Sequence, residues 1–300
     1  FFPTRRSSDL AVKSILCDAA DVVLAIGVEV QNSVKSVYGS DYLACAGHYS
    51  GERKNGHAHF FPGKFAERAG DYSAKFGKDE TRKAMASWYV QCIENARTCP
   101  LAQEYQNSTQ DLMAAGMTPP NPKVFMDHIN LYDCSKVSDG SASILCVSED
   151  GLKKLGIPQE KAVRLVALSQ AEADITKQPE DLTKLSTTQK AIEKAYNESG
   201  LSAKNMATIE IHDCFTITAI LAVEALGLAP HGEGHKYIEQ GLAKRDGKIP
   251  INTTGGLIGY GHPTGATGVR QMVDLWKQLT GQAEKSQISI PSDKKHGMMV

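Results

Sequence analysis

The 300-residue sequence has no excess of charge of either sign: 33 Lys and Arg stand against 34 Asp and Glu, a formal net charge of -1. Such a balance gives no electrostatic case for a nucleic-acid or anionic-membrane partner. Long apolar runs are missing too. Stretches such as "VVLAIGV" fall far short of the roughly 20 residues a spanning helix needs, and predict buried strands and no membrane span. The seven cysteines are odd in number and lack CxxC spacing. That pattern argues against a disulfide framework and for a reducing intracellular compartment, with cytoplasm, mitochondrion and peroxisome equally compatible. Most of the cysteines read as small buried hydrophobes; Cys214 alone has polar neighbours.

The ends of the chain carry little pattern. "FFPTRRSSDL" has no helical or strand period, and its basic residues are not followed by the apolar core of a secretory signal. It reads as a translated adapter or cloning scar, so residues 1–10 are set aside as non-native. "KKHGMMV" stops inside a run that reads as strand or loop. The expectation is a chain truncated at both ends.

Between the ends, strand and helix signals alternate, which predicts an α/β fold with largely parallel sheets. "ADVVLAIGVEV" is a β-branched run of the kind buried on both faces of a parallel sheet. Residues 36–130 are richer in Gly, Tyr, His and Lys and partly helical, closed by Pro119, Pro120 and Pro122; they read as an inserted subdomain. "SASILCVSED" and "KAVRLVALSQAEA" predict further strands. A helix is expected over 187–199 with Gly200 just beyond it. "ATIEI" predicts a strand and "TITAILAVEALG" a buried helix stopped by Gly227. In "GATGVRQMVDLWKQLTG", Val269, Met272, Val273, Trp276 and Leu279 fall at helical spacing and predict an apolar face.

Two segments carry candidate chemistry. In "IEIHDCFTITAI" a strand runs into a helix at His212–Phe215, the end of a parallel strand where α/β proteins place ligands. The field of a helix N-terminus favours a thiolate, so Cys214 is expected to have a lowered pKa and to exchange protons. Asp213 as a cap beside a buried Cys is the plainer alternative, and both remain open on the residues alone. In "INTTGGLIGYGHPTGATG", six glycines surround His262, which Pro263 presents from a stiffened loop. The segment lacks the lysine and hydroxyl of a phosphate loop and the spacing of the dinucleotide fingerprint. A structural Gly-rich turn stays possible. No metal is expected: the i, i+4 histidines of "HGEGH" (His231, His235) are separated by helix-breaking glycines, and no PCxxC follows His212 and Cys214.

Together these segments resemble the thiolase superfamily. "HDCF" looks like the motif of the sterol-carrier-protein class of thiolases, and "NTTGGLIGYGHPTGATG" like the thiolase Gly-His-Pro loop. "ADVVLAIGVE" and "SDGSASILCVSED" resemble strands of the N-terminal half. The resemblance runs from about Ala11 to the last residue. It implies a thiolase-like fold of two similar βαβαβαββ halves with mixed, largely parallel sheets. Residues 11–155 would form a partial N-terminal half, with a loop domain of about 36–130 over coenzyme A, and 156–300 an incomplete C-terminal half.

The implied activity is thiolytic cleavage of 3-ketoacyl-CoA, or the reverse Claisen condensation of acyl-CoA with acetyl-CoA. CoA and acyl-CoA would be substrates and partners, with no further cofactor, in a homodimer or homotetramer. On matching positions, His262 would activate the nucleophile and help bind a thioester oxygen. His212 would join an oxyanion hole, and Cys214 would be the acid/base. Phe215, Asn252, Gly255, Gly256, Gly261 and Pro263 would line the substrate. The resemblance also places a nucleophilic cysteine at the start of the helix leading into "AVKSIL", where the sequence reads "TRRSSDL"; Cys17 lies at the far end of that segment. The chain as it stands is therefore expected to be inactive. The alternative is a non-catalytic thiolase-like protein that binds CoA or lipid. Lys54, Lys64 and Arg68 are candidates for CoA phosphates or for a solvated helix face.

Overall fold

The computed structural model describes residues 3–53, 58–123 and 125–300, with side chains from Ser8 onward. Lys54 lies outside the described residues. The chain opens on α1 (Pro3–Leu16) and β1 (Val22–Val30) and continues through α2 (Ser36–Ala44), α3 (Tyr49–Glu52), α4 (Phe60–Phe76), α5 (Lys78–Ala96) and α6 (Leu112–Gly116). β2 (Asp139–Val147) and α7 (Glu149–Leu155) follow. The second half runs α8 (Ser186–Ser199), β3 (Met206–Glu210), α9 (Thr216–Ala225), α10 (Gly234–Glu239), α11 (Gly256–Gly259), α12 (Thr267–Leu279) and β4 (His296–Met299).

The architecture is mixed α/β around two small sheets. β1 and β2 pair antiparallel from Val22 opposite Val147 to Val30 opposite Asp139. β3 and β4 pair parallel, and β3 bonds on its other side to the 250–252 segment, where Ile209 N donates to Pro250 O and Asn252 N to Ile209 O. The main core lies where α5 meets α9, α10 and α11 and also takes in β3, with Trp88, Met85, Ile93, Ile209, Ile211, Ile217 and Leu221 almost fully enclosed. The inserted region is helical, and through α5 it shares this core with the second half of the chain.

Four expectations change. The first ten residues show no period, yet α1 starts at Pro3: a proline in the first turn has no bond to lose there, and Ser8 and Ala11 are buried on one face. The run Val22–Val30 is a strand, but antiparallel and covered on one face only. Ala25 is buried, whereas Leu24, Ile26, Val28 and Val30 are each more than half exposed. Its apolar composition does not distinguish one covered face from two. On the covered side, a Cβ at Gly27 would sit 2.7 Å from Ala266 Cα, so glycine lets β1 pass directly against the loop that follows His262.

Third, "KAVRLVALSQAEA" forms no strand; Val163, Leu165 and Val166 stay exposed, because no described segment pairs with this stretch. Fourth, the apolar stripe of α12 is not its most buried face. Val269 is enclosed, but Met272, Val273, Trp276 and Leu279 are partly exposed. The buried stripe is polar: Thr267, Arg270, Gln271, Asp274 and Gln278. Loops beneath the helix explain this. Gln271 Nε2 donates to Ile211 O (2.9 Å), and Gln278 Nε2 donates to Ser286 O (2.7 Å) and Thr253 Oγ1 (2.9 Å). Backbone groups buried there need partners, and α12 supplies them.

Candidate active site

β3 is fully buried and delivers residues 211–215 to the N-terminus of α9, which begins at Thr216. The turn is locked by Asn252, which adopts a left-handed φ of 53°. Its Oδ1 accepts from Ile211 N (2.8 Å) and its Nδ2 donates to Ile211 O (3.2 Å). Asn252 thus spends its side chain on the backbone next to His212, and it is fully buried.

Asp213 is the hub of the turn. Its carboxylate, with no exposed surface, accepts from Leu257 N at the start of α11 (2.7 Å), from Trp88 Nε1 (3.0 Å) and from Cys92 Sγ (3.4 Å), both on α5. Gly255 and Gly256, with φ of 112° and 61°, bring α11 close enough for this; a Cβ on Gly256 would collide with the Asp213 carboxylate. Burial raises the Asp213 pKa from 3.8 to about 6, against the lowering effect of these donors. Folding therefore favours its protonated form. The stabilisation is full below pH 3.8 and is lost as pH rises through about 6, roughly 3 kcal/mol for a shift of this size. Equilibrium unfolding between pH 4 and 7 is expected to show Asp213→Asn gaining on the wild type as pH rises; parallel curves would refute this.

The two histidines come together. The rings of His212 and His262 meet edge to face, with centroids 4.9 Å apart. Side chains far away in sequence hold both peptide groups of His262: its N donates to Ser138 Oγ (2.9 Å), and its O accepts from Gln31 Nε2 (3.0 Å). His262 Nδ1 lies 2.8 Å from Thr267 Oγ1, and that hydroxyl donates to Pro263 O (3.1 Å). The hydroxyl hydrogen being committed, the network assigns the imidazole proton to Nδ1 and leaves Nε2 as an acceptor. His262 keeps a partly exposed edge, but protein encloses its ring, and burial followed by the charge of Arg270 pulls its pKa down to about 3. It is a neutral imidazole at physiological pH.

Cys214 is buried at the N-terminal side of α9, but the expected lowering of its pKa is reversed. Burial and the neighbouring Asp213 charge push it to about 12, outweighing the nearby Thr218 hydroxyl and the backbone donors. A helix N-terminus favours a thiolate only when desolvation does not dominate, and here it does. Phe215 stacks on Phe65 of α4, centroids 4.5 Å apart. Gly261 (φ 118°) and Pro263 shape the backbone on either side of His262, and Pro263 also lies against Gly140 of β2.

Other candidates are engaged elsewhere. Lys64 pairs with Glu52 (3.1 Å) and Glu67 (3.4 Å), and Arg68 donates to the carbonyls of Leu182 (2.8 Å) and Lys184 (3.0 Å). His231 binds Glu224 (2.9 Å), and the ring of His235 faces that of Tyr72 edge-on. Among the described residues no group of three or more His, Cys, Asp or Glu is arranged to hold a metal ion, and no helix is long and apolar enough to cross a membrane.

Several residues of the site escape sequence reading. Thr267, five residues after His262, is visible as a hydroxyl near the imidazole. Nothing local marks Gln31, Ser138 or Trp88, whose partners are 231, 124 and 125 residues away.

Acetyl-CoA acetyltransferase of Methanothermobacter thermautotrophicus is 33% identical over 287 residues, which cover 94% of this chain and 71% of that protein. The chain belongs to the thiolase family. A family model described as thiolase C-terminal domain-like matches residues 169–294 of this thiolase-family chain. Human sterol carrier protein 2 is 32% identical over 235 residues, covering 76% of the chain and 41% of that protein. In fold, the chain is similar to the solved structure of an Ltp2-ChsH2(DUF35) aldolase, which superposes with a TM-score of 0.77 at 20% identity, over 97% of this chain and 72% of that one.

Proposed function

We propose that the site acts on acyl-CoA thioesters by thiolase chemistry: thiolytic cleavage of a 3-ketoacyl-CoA or the reverse Claisen condensation. The observation that carries this reading is the His212–His262 pair at 4.9 Å, with Nδ1 of His262 tied to Thr267. Nε2 of His262 is then the base that takes a proton from an attacking thiol, and His212 is the neighbour that binds the thioester oxygen as it gains charge. Cys214, kept as a thiol, donates and recovers the proton of the substrate α-carbon. CoA and its esters are substrates, so the reading calls for no bound cofactor. It also assigns the protein to a reducing compartment and to a homodimer or homotetramer.

One observation favours a second reading, a protein that binds CoA or lipid without turning it over. The first cysteine in the chain is Cys17, beyond the C-terminal end of α1, so α1 offers no thiolate to take an acyl group. Both readings predict binding and, with no cysteine in α1, no turnover by the chain as it stands; they differ in whether the site around His262 supports thiolase chemistry once a nucleophile is supplied. With CoA and acetoacetyl-CoA supplied, the 300-residue chain is expected to give no thiolysis. Turnover that survives purification to homogeneity and disappears in His262→Ala would show that another group serves as nucleophile.

A further inference from the structure

We propose that Asp213 is a positioning residue whose fixed, buried charge reinforces burial in keeping Cys214 a thiol, so that Cys214 is held as a proton donor and not as the acyl-accepting nucleophile. The geometry carries the argument. Asp213 and Cys214 are consecutive and both buried, so their side chains share a poorly solvated environment in which a second negative charge is costly. The carboxylate cannot turn away, because Leu257 N and Trp88 Nε1 hold its two oxygens from two different helices.

Nor is either charge neutralised by a direct partner. Arg270, whose field reaches Asp213, is paired with Asp274 and stacked on Tyr260; Arg68, whose field reaches Cys214, is bound to the carbonyls of Leu182 and Lys184. Besides His212, which precedes Asp213 in the chain, the ionisable groups around the pair include three acids: Cys92 on α5, Cys134 before β2 and Glu210 at the end of β3. Each would add negative charge on ionising, and none favours the thiolate.

The inference rests on the reading of Cys214 as the proton donor of the site, but its test needs no CoA ester. Failure to bind acyl-CoA would sink that reading and leave the alkylation result standing. Intact protein is treated with iodoacetamide at pH 8, and labelling of the Cys214 peptide is timed by mass spectrometry. Asp213→Asn keeps the shape and removes the charge, and is expected to speed labelling of Cys214 about tenfold, the effect of lowering a thiol pKa by one unit. Cys134, only partly buried and with Asp133 rather than Asp213 as its acidic neighbour, reports local opening and is expected to label at the wild-type rate. Trp88→Phe loosens the hub while keeping the charge and is expected to stay within about twofold of wild type. The proposal is overturned if Asp213→Asn labels Cys214 within twofold of wild type. It also falls if Cys134, or Cys214 in Trp88→Phe, accelerates as much.

Discussion

Replacing Arg270 with alanine is expected to lower folding stability by about 3–5 kcal/mol, the usual effect of stripping one partner from a buried ion pair. Arg270 is 4% exposed and pairs with Asp274, donates to Thr254 Oγ1 (3.2 Å) and packs its guanidinium 4.5 Å from the Tyr260 ring centroid. Without it, Asp274 and Glu210 remain in the interior with no cation, and burial already raises the Glu210 pKa well above its ordinary value. The loss should appear as a lower urea midpoint at pH 7 with an unchanged slope. Removing Asp274 as well is expected to restore part of it, since the double variant leaves fewer unpaired charges. A single variant within 1 kcal/mol of wild type would mean that the polar face of α12 does not hold the loops beneath it.

Gly256→Ala ranks second, with an expected loss of about 2–4 kcal/mol. Left-handed backbone at φ 61° costs an alanine of order 1 kcal/mol. The added methyl also overlaps the Asp213 carboxylate and Asn252 Nδ2, adding an overpacking cost of about 1–3 kcal/mol. Because Asp213 links the turn at His212 to α5 and α11, the damage should spread. Hydrogen exchange is expected to quicken at Leu257 and Ile211, and to stay unchanged at α8, which lies apart from the hub. Uniform acceleration over the whole chain would point to global destabilisation alone.

The parts of this protein legible in its sequence are those whose chemistry is local. His212–Asp213–Cys214 at a strand end, and His262 between Gly261 and Pro263, stand out because unusual residues crowd a short window. Helix α8 is equally plain: Ile192 is its buried residue, and Gly200 ends it in the left-handed region. What escaped depends on partners distant in the chain. Whether β1 is covered on one face or two is decided by what packs on it, and the apolar run Val22–Val30 reads the same either way. The α12 pattern misled because Gln271 and Gln278 look like surface residues until the carbonyls of Ile211 and Ser286 are set beneath them. The direction of the Cys214 shift was missed for a related reason: the helix N-terminus is visible in sequence, whereas the depth of burial is not.

The most direct test of the His212–His262 site as the acyl-CoA site is calorimetric titration of the chain with acetoacetyl-CoA, in wild type and in His262→Ala. Saturable binding to the wild type at one ligand per chain is expected, with affinity at least about tenfold weaker in the variant, a difference of about 1.4 kcal/mol. Equal affinities, or no binding to a folded wild-type chain, would contradict the account.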